Sequence, residues 1–149
     1  MIDDIIEKIT LHQSRAALAK KEILTFEGGL NIEIFEDFEK VKAIDTFIYR
    51  FIKMQDMMGE KLFRVFLDEL GEYRDNMSLL DVLDRLEKLG LIEDAMQWMY
   101  YRKLRNKLTH EYPSNEEEIT EGIALSLEAF SAMEVILTKI VDYRMKRLK

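Results

Sequence analysis

Apolar residues recur every three or four positions along most of the chain, the spacing that gives an α-helix one buried face. Ile2, Ile5, Ile6, Ile9, Ala16 and Ile23 mark such a face and predict a helix from about Ile2 to Glu27. Gly28-Gly29 supplies its end, because glycine adopts the left-handed cap without strain. A second, longer helix is expected from about Glu36 to Gly71. Its stripe is Val41, Ile44, Ile48, Phe51, Gln55, Met58, Leu62 and Val65, heptad-like with Gln55 as the one polar member. Some thirty helical residues would span about 45 Å. Gly59, inside that helix, costs it about 1 kcal/mol relative to alanine. Ser78 suits the N-cap of a short third helix, Leu79 to Leu89, which Gly90 stops.

A fourth helix starts near Glu93-Asp94, acids that suit a positive helix end. It should finish by Tyr112, since a residue before proline avoids the helical region and Pro113 follows. Ser114 or Asn115 can cap a fifth helix, with Glu116, Glu117 and Glu118 in its first turn. Its stripe is Ile119, Ile123, Leu127, Phe130, Met133, Leu137 and Ile140. No strand pattern competes. The expectation is an all-α fold: one domain over 1–149, an antiparallel up-and-down bundle of four main helices plus one short helix.

Composition narrows the function classes. The chain has 149 residues, one proline and no cysteine, which removes disulfides, thiolate metal sites and cysteine nucleophiles. A domain of this length buries about 68–70% of its unfolded surface, enough for one core without staples. No apolar run approaches the ~18–20 residues of a membrane span. The start, Met1-Ile2-Asp3-Asp4, is acidic and carries no secretory pattern, so a soluble cytoplasmic protein is expected. Net charge is −7, which disfavours general, non-specific nucleic-acid binding. Positive charge is nonetheless clustered, at Arg102, Lys103, Arg105 and Lys107, and from Lys139 to Lys149. The basic tail reads as a solvated helix end.

The fourth helix carries the candidate chemistry. At ~100° per residue, Ile92, Met96, Met99, Tyr100, Leu104 and Leu108 share a broad face, the expected core side. Trp98, Tyr101, Arg102, Arg105 and Thr109 lie roughly opposite. Two readings of Trp98 and Tyr101 stay open: an interface for a partner, since aromatics and arginine are enriched there, or burial under flanking helices in a wide core. Arg105 and His110 combine a phosphate-binding fork with a group that moves protons near neutral pH. They sit five residues apart, ~140° around an ideal helix. Convergence then requires either a distorted helix end or a second chain. His12, near the first helix's apolar stripe, reads as structural or solvated. Gln55 reads as a satisfied core amide or a register device.

Arg105-Asn106-x3-Thr109-His110-Glu111-Tyr112 resembles the Arg-x4-His-x-Tyr signature of HepT-type toxins in the HEPN superfamily. The extended run Trp98-Met99-x2-Arg102-x2-Arg105-Asn106 and the preceding Leu83-x2-Leu86-Glu87-Lys88-Leu89-Gly90-Leu91-Ile92 resemble it too. The specific match covers about residues 79–113. The resemblance implies a HEPN-like bundle and a metal-independent endoribonuclease that needs no cofactor and acts as a homodimer on RNA. It implies a cognate partner, a minimal nucleotidyltransferase of the MntA type that silences the toxin by adding AMP to Tyr112. Some relatives were described only as binding partners of nucleotidyltransferases, which is the alternative reading.

The residues suit that chemistry. RNA supplies its own nucleophile, the 2′-hydroxyl. His110 can act as general base or acid, one from each chain. Arg105 can stabilise the charge that develops on the phosphate. Asn106 can orient the phosphate or the histidine, and Arg102 and Lys107 can hold flanking phosphates. No His/Asp/Glu spacing suggests a metal site.

Overall fold

Two acids in its first turn and two lysines in its last favour the first helix, α1 (Ile2–Ile23), through the helix dipole. The structure, a computed structural model, describes residues 1–111 and 116–148. The helix ends four residues before the expected Glu27. There the Thr25 and Phe26 N–H groups donate three residues back, to Glu22 and Ile23, and the Thr25 hydroxyl donates to the Glu22 carbonyl. These tight bonds satisfy the helix end locally. Gly28 and Gly29 take positive φ in the turn that follows.

A 3₁₀ segment, Ile32–Glu36, precedes α2 (Phe38–Met57), which the Asp37 carboxylate caps by accepting from the Glu39 N–H. The helix runs on through a five-residue π-helical segment, Met58–Leu62, into α3 (Phe63–Glu69). In the π segment the Phe63 N–H donates five residues back, to the Met58 carbonyl. The wider turn changes which side chains face inward. Beyond it the buried residues are Phe63, Phe66 and Leu67, whereas Val65 of the expected stripe is half-buried.

Ser78 and Asp81 form a reciprocal capping box at the start of α4 (Leu79–Lys88), and Gly90 closes it with φ +77°. Next comes α5 (Ala95–Glu111), whose Met96 N–H donates to the Asp94 carboxylate. The Glu87 side chain accepts from the Ala95 N–H, joining α4 to the start of α5. The last and longest helix is α6 (Glu116–Leu148). Its expected stripe is buried in full, from Ile119 to Ile140. The expected caps Ser114 and Asn115, together with Tyr112 and Pro113, lie outside the described residues. No strand occurs among the described residues.

Cross-contacts set the helix directions. Along α1, Asp3, Gln13 and Lys20 meet Arg144, Glu134 and Ser131 of α6 in descending order, so these two helices run oppositely. The rings of Phe47 and Phe66 meet Phe130 and Tyr143, so the run 38–69 and α6 point the same way. Apolar side chains from these helices form a continuous core, with Phe47, Phe51 and Phe130 between α2 and α6. At the other end of the run, Phe63 meets Trp98 of α5 edge-on, centroids 4.8 Å apart. No helix among the described residues is long and apolar enough to cross a membrane.

The basic tail departs from its solvated reading at Arg144. That guanidinium donates twice to Glu69, at 2.8 and 3.0 Å, and once to Asp3, at 3.0 Å. One side chain of α6 thereby ties α1 and α3 together.

Candidate functional site

Helix α5 is rotated relative to the face expected for it. Trp98 is 2% exposed and Tyr101 is also buried, so both belong to the chain's own core. Met96 and Tyr100, expected inside, are 62% and 47% exposed. Ile92, Leu104 and Leu108 are buried as expected. The cause lies on the neighbouring helices. Gly59, in the π segment, leaves room for the indole; a Cβ there would stand 3.3 Å from Trp98 Nε1. Gly122 of α6 likewise approaches Leu108, with 3.3 Å from an added Cβ to Leu108 Cδ2. The absence of a side chain at Gly59 and Gly122 thus makes room for Trp98 and Leu108 against the neighbouring helices. Burial raises the pKa of the Tyr101 hydroxyl, with Glu93 adding to the effect.

This rotation brings Arg105 to the edge of the core. Asp56 of α2 accepts from Arg105 Nε at 3.0 Å and from Nη2 at 2.8 Å, a bidentate pair on half-buried side chains. The hydrogen bonds it donates to Asp56, first among the causes, hold the guanidinium still more firmly protonated. The remaining edge, Nη1, donates to the Thr109 hydroxyl at 3.1 Å and more distantly to the Asn106 side chain, 3.4 Å. Arg105 is therefore fixed in place, with two donors on Asp56 and two more on Thr109 and Asn106.

Beside it lies a cleft of about 330 Å³. Gln55, Asp56, Gly59 and Glu60 line it from one side of the helix interface and Trp98, Arg102, Arg105 and Asn106 of α5 from the other, with Arg64 and Leu79 completing the lining. Arg102 and Asn106 are exposed. Three arginines outnumber two acids, so the rim is locally positive on an acidic chain. The volume is at the lower end of the range for ligand pockets, about 300–1,000 Å³.

Buried beneath this lining are three polar atoms without hydrogen-bond partners among the described residues: the amide Nε2 and Oε1 of Gln55 and Nε1 of Trp98. Gln55 is only 2% exposed. The expectation of a satisfied core amide is corrected: Gln55 is buried, and its amide is unpaired. A neutral group buried in this way costs about 1–3 kcal/mol.

His110 is exposed at the far end of α5 and is not among the residues lining the cleft. On an ideal helix it shares a face with Met96, Tyr100, Lys103 and Lys107, opposite the core side. Lys107 is half-buried, with its ammonium 3.9 Å from Glu118. The structure brings Arg102, Arg105 and Asn106 together and leaves Lys107 and His110 outside that group. Tyr112, the expected modification site, falls outside the described residues.

His12 accepts a hydrogen bond from Arg50 at 3.0 Å through Nδ1, a structural role as expected. No group of three potential metal ligands occurs among the described residues.

Asp56, Gly59 and Arg64 went unrecognised as site residues in the sequence. They lie more than thirty residues before the motif. The one signal was Gln55, the polar residue interrupting an apolar stripe beside Asp56. A scan of the chain against protein-family models finds no match, and a search of curated proteins finds none.

Proposed function

We propose that this protein is a metal-independent endoribonuclease of the HEPN type, a HepT-like toxin that works as a homodimer. The observation that carries the reading is the layout of α5. A rigidly held Arg105 and an exposed His110 lie on different sides of one helix, and Met96 and Tyr100 are exposed on the histidine's side. A second copy docked there brings one chain's His110 toward the other's Arg105, across the antiparallel HEPN-like bundles. The ribose 2′-hydroxyl then attacks the adjacent phosphorus. One His110 takes its proton, the P–O5′ bond breaks, and the other His110 protonates the leaving oxygen. The products are a 2′,3′-cyclic phosphate and a 5′-hydroxyl end. Arg105, exchanging the Thr109 and Asn106 contacts of its Nη1 edge for the phosphoryl oxygens, stabilises the charge that develops there. Arg102, Asn106 and Lys107 hold the flanking backbone. A minimal nucleotidyltransferase of the MntA type, acting in the cytoplasm, silences the toxin by adding AMP to Tyr112.

One observation favours the second reading, a non-catalytic partner protein of a nucleotidyltransferase. Asp56 already occupies two donors of Arg105, as in a structural ion pair.

Paired expression of wild type and His110→Ala separates the two. The nuclease reading expects growth arrest and RNA fragments ending in cyclic phosphate from wild type alone. Purified variant should cleave about 10²–10⁴-fold more slowly, the usual value of general acid–base catalysis. Intact RNA with AMP-free wild-type protein, beside a control nuclease that cuts, overturns it. A stable nucleotidyltransferase complex indifferent to His110→Ala would then establish the partner reading.

A further inference from the structure

We propose that the groove between α1 and α2 is a docking surface for single-stranded RNA, separate from the Arg105 cleft. The choice of RNA as the strand rests on the ribonuclease reading; the polyanionic character of the ligand does not. The two helices run in opposite directions, and His12 meets Arg50 at 3.0 Å. From that contact the groove, about 350 Å³, runs past Arg15 and Thr46 to Glu22 and Glu39. Burial first, and then Arg50, Lys53 and Arg15, lower the His12 pKa, and no carboxylate is among the causes. Three cations therefore gather within electrostatic reach of one histidine, on a chain of net charge −7. Such a patch attracts a polyanion that the rest of the surface repels. The carboxylates lining the groove stand at its other end, and Glu39 is already paired with Lys42 at 2.9 Å.

Tyr49 narrows the class of polyanion. Its ring is 53% exposed on α2. The Arg50 guanidinium lies 5.1 Å from the ring centroid and the Lys53 ammonium 5.7 Å. Single-strand binders combine these parts: aromatic rings stack bases, and cations meet the backbone phosphates. An acidic polypeptide matches the charge but brings no base for the ring. The surface also adjoins the proposed active site. Asp56, which holds Arg105, lies about one turn beyond Lys53 on α2. On an ideal helix Tyr49 and Lys53 fall between Asp56 and Arg50 around the circumference, and the axis advances ~9 Å from Arg50 to Asp56. One strand thus has a cationic path from the Arg105 cleft to the groove.

The test is fluorescence anisotropy of a labelled, non-cleavable 2′-O-methyl oligouridine titrated with intact protein over a range of salt. The expected result is saturable binding that weakens as salt rises. Arg15→Gln/Lys53→Gln removes two exposed cations and keeps the contact between Arg50 and His12; a thermal melt confirms folding. Losing two phosphate contacts should weaken binding about tenfold or more and flatten the log–log salt slope by about 1.4, at ~0.7 per phosphate on a single strand. Tyr49→Ala should weaken binding about fivefold or more with the slope unchanged, because stacking releases no counterions. Lys139→Gln/Lys146→Gln removes the same charge from α6 and should change neither. No saturable binding, full binding by folded Arg15→Gln/Lys53→Gln or by Tyr49→Ala, or an equal loss in the α6 control would each overturn the surface. So would equally tight binding of polyglutamate or of phosphatidylserine vesicles. Groove-dependent binding without RNA cleavage leaves the surface standing and removes the nuclease. Cleavage by a protein whose binding ignores Arg15, Tyr49 and Lys53 does the opposite.

Discussion

Arg105 shows how much one residue's surroundings decide. In the sequence it is an arginine five residues before a histidine. In the structure it is a bidentate partner of Asp56, with its last donor edge turned toward Thr109 and Asn106. Under the proposed function that restraint would favour phosphate binding, because a free arginine loses rotamer entropy on gripping an anion and a held one does not. His12 makes a testable case at the same scale. Partial burial and then Arg50 hold its pKa below 6.5. The unfolded chain therefore takes up a proton near that pH that the folded chain refuses. Stability is full above the ordinary histidine range and falls as pH drops through it. Urea unfolding of wild type at about pH 8 and about pH 5.5 should show that loss. His12→Gln should flatten the difference; an unchanged slope would assign it to other groups.

Among the elements, α5 differs most from its sequence pattern. Its aromatics and leucines alone admit two rotations, and periodicity does not rank them. Gly59 does, because it leaves room for Trp98, which lies opposite the face expected inside, whereas Gly122 receives Leu108 in either case. The same contact makes Trp98 the anchor of the helix, packed on Phe63 and within ring contact of Tyr101. Trp98→Ala should cost about 3–5 kcal/mol, the usual range for emptying a buried aromatic site. Chemical denaturation followed by far-ultraviolet circular dichroism measures it. A loss below about 1 kcal/mol would place the indole outside the load of the core. By contrast α4 was fully legible, since Ser78, Asp81 and Gly90 encode its ends through short-range hydrogen bonds and backbone freedom.

At the scale of the whole molecule, Arg144 joins three helices that are distant in sequence. Its guanidinium is largely buried, whereas Asp3 is exposed and Glu69 is partly so. Hydrogen bonds from Arg144, the largest cause, hold the Glu69 carboxyl below its ordinary pKa of 4.5. That contribution is present above the usual carboxylate range and is lost as pH falls through the depressed value. Arg144→Ala should cost about 1–2 kcal/mol at neutral pH, above the ~0–1 kcal/mol of an exposed pair, because three charge-assisted bonds go together. Thermal melts of wild type and variant should converge in acid. A gap that persists below about pH 3 would assign the loss to packing instead.

The sequence by itself determined the helices, most of their ends and the inward stripe of α6. Those features rest on interactions within a few residues: periodic burial, caps and glycine turns. It also placed Arg102, Arg105, Asn106 and His110 on one helix. Only the tertiary structure decided which way α5 faces, that Trp98 and Tyr101 lie inside, and that Gln55 is buried with its amide unpaired. It alone brought Asp56 to Arg105 across 49 positions. Such pairings depend on which recess fits which side chain across a helix interface, and a one-dimensional pattern of polar and apolar residues carries no record of that fit.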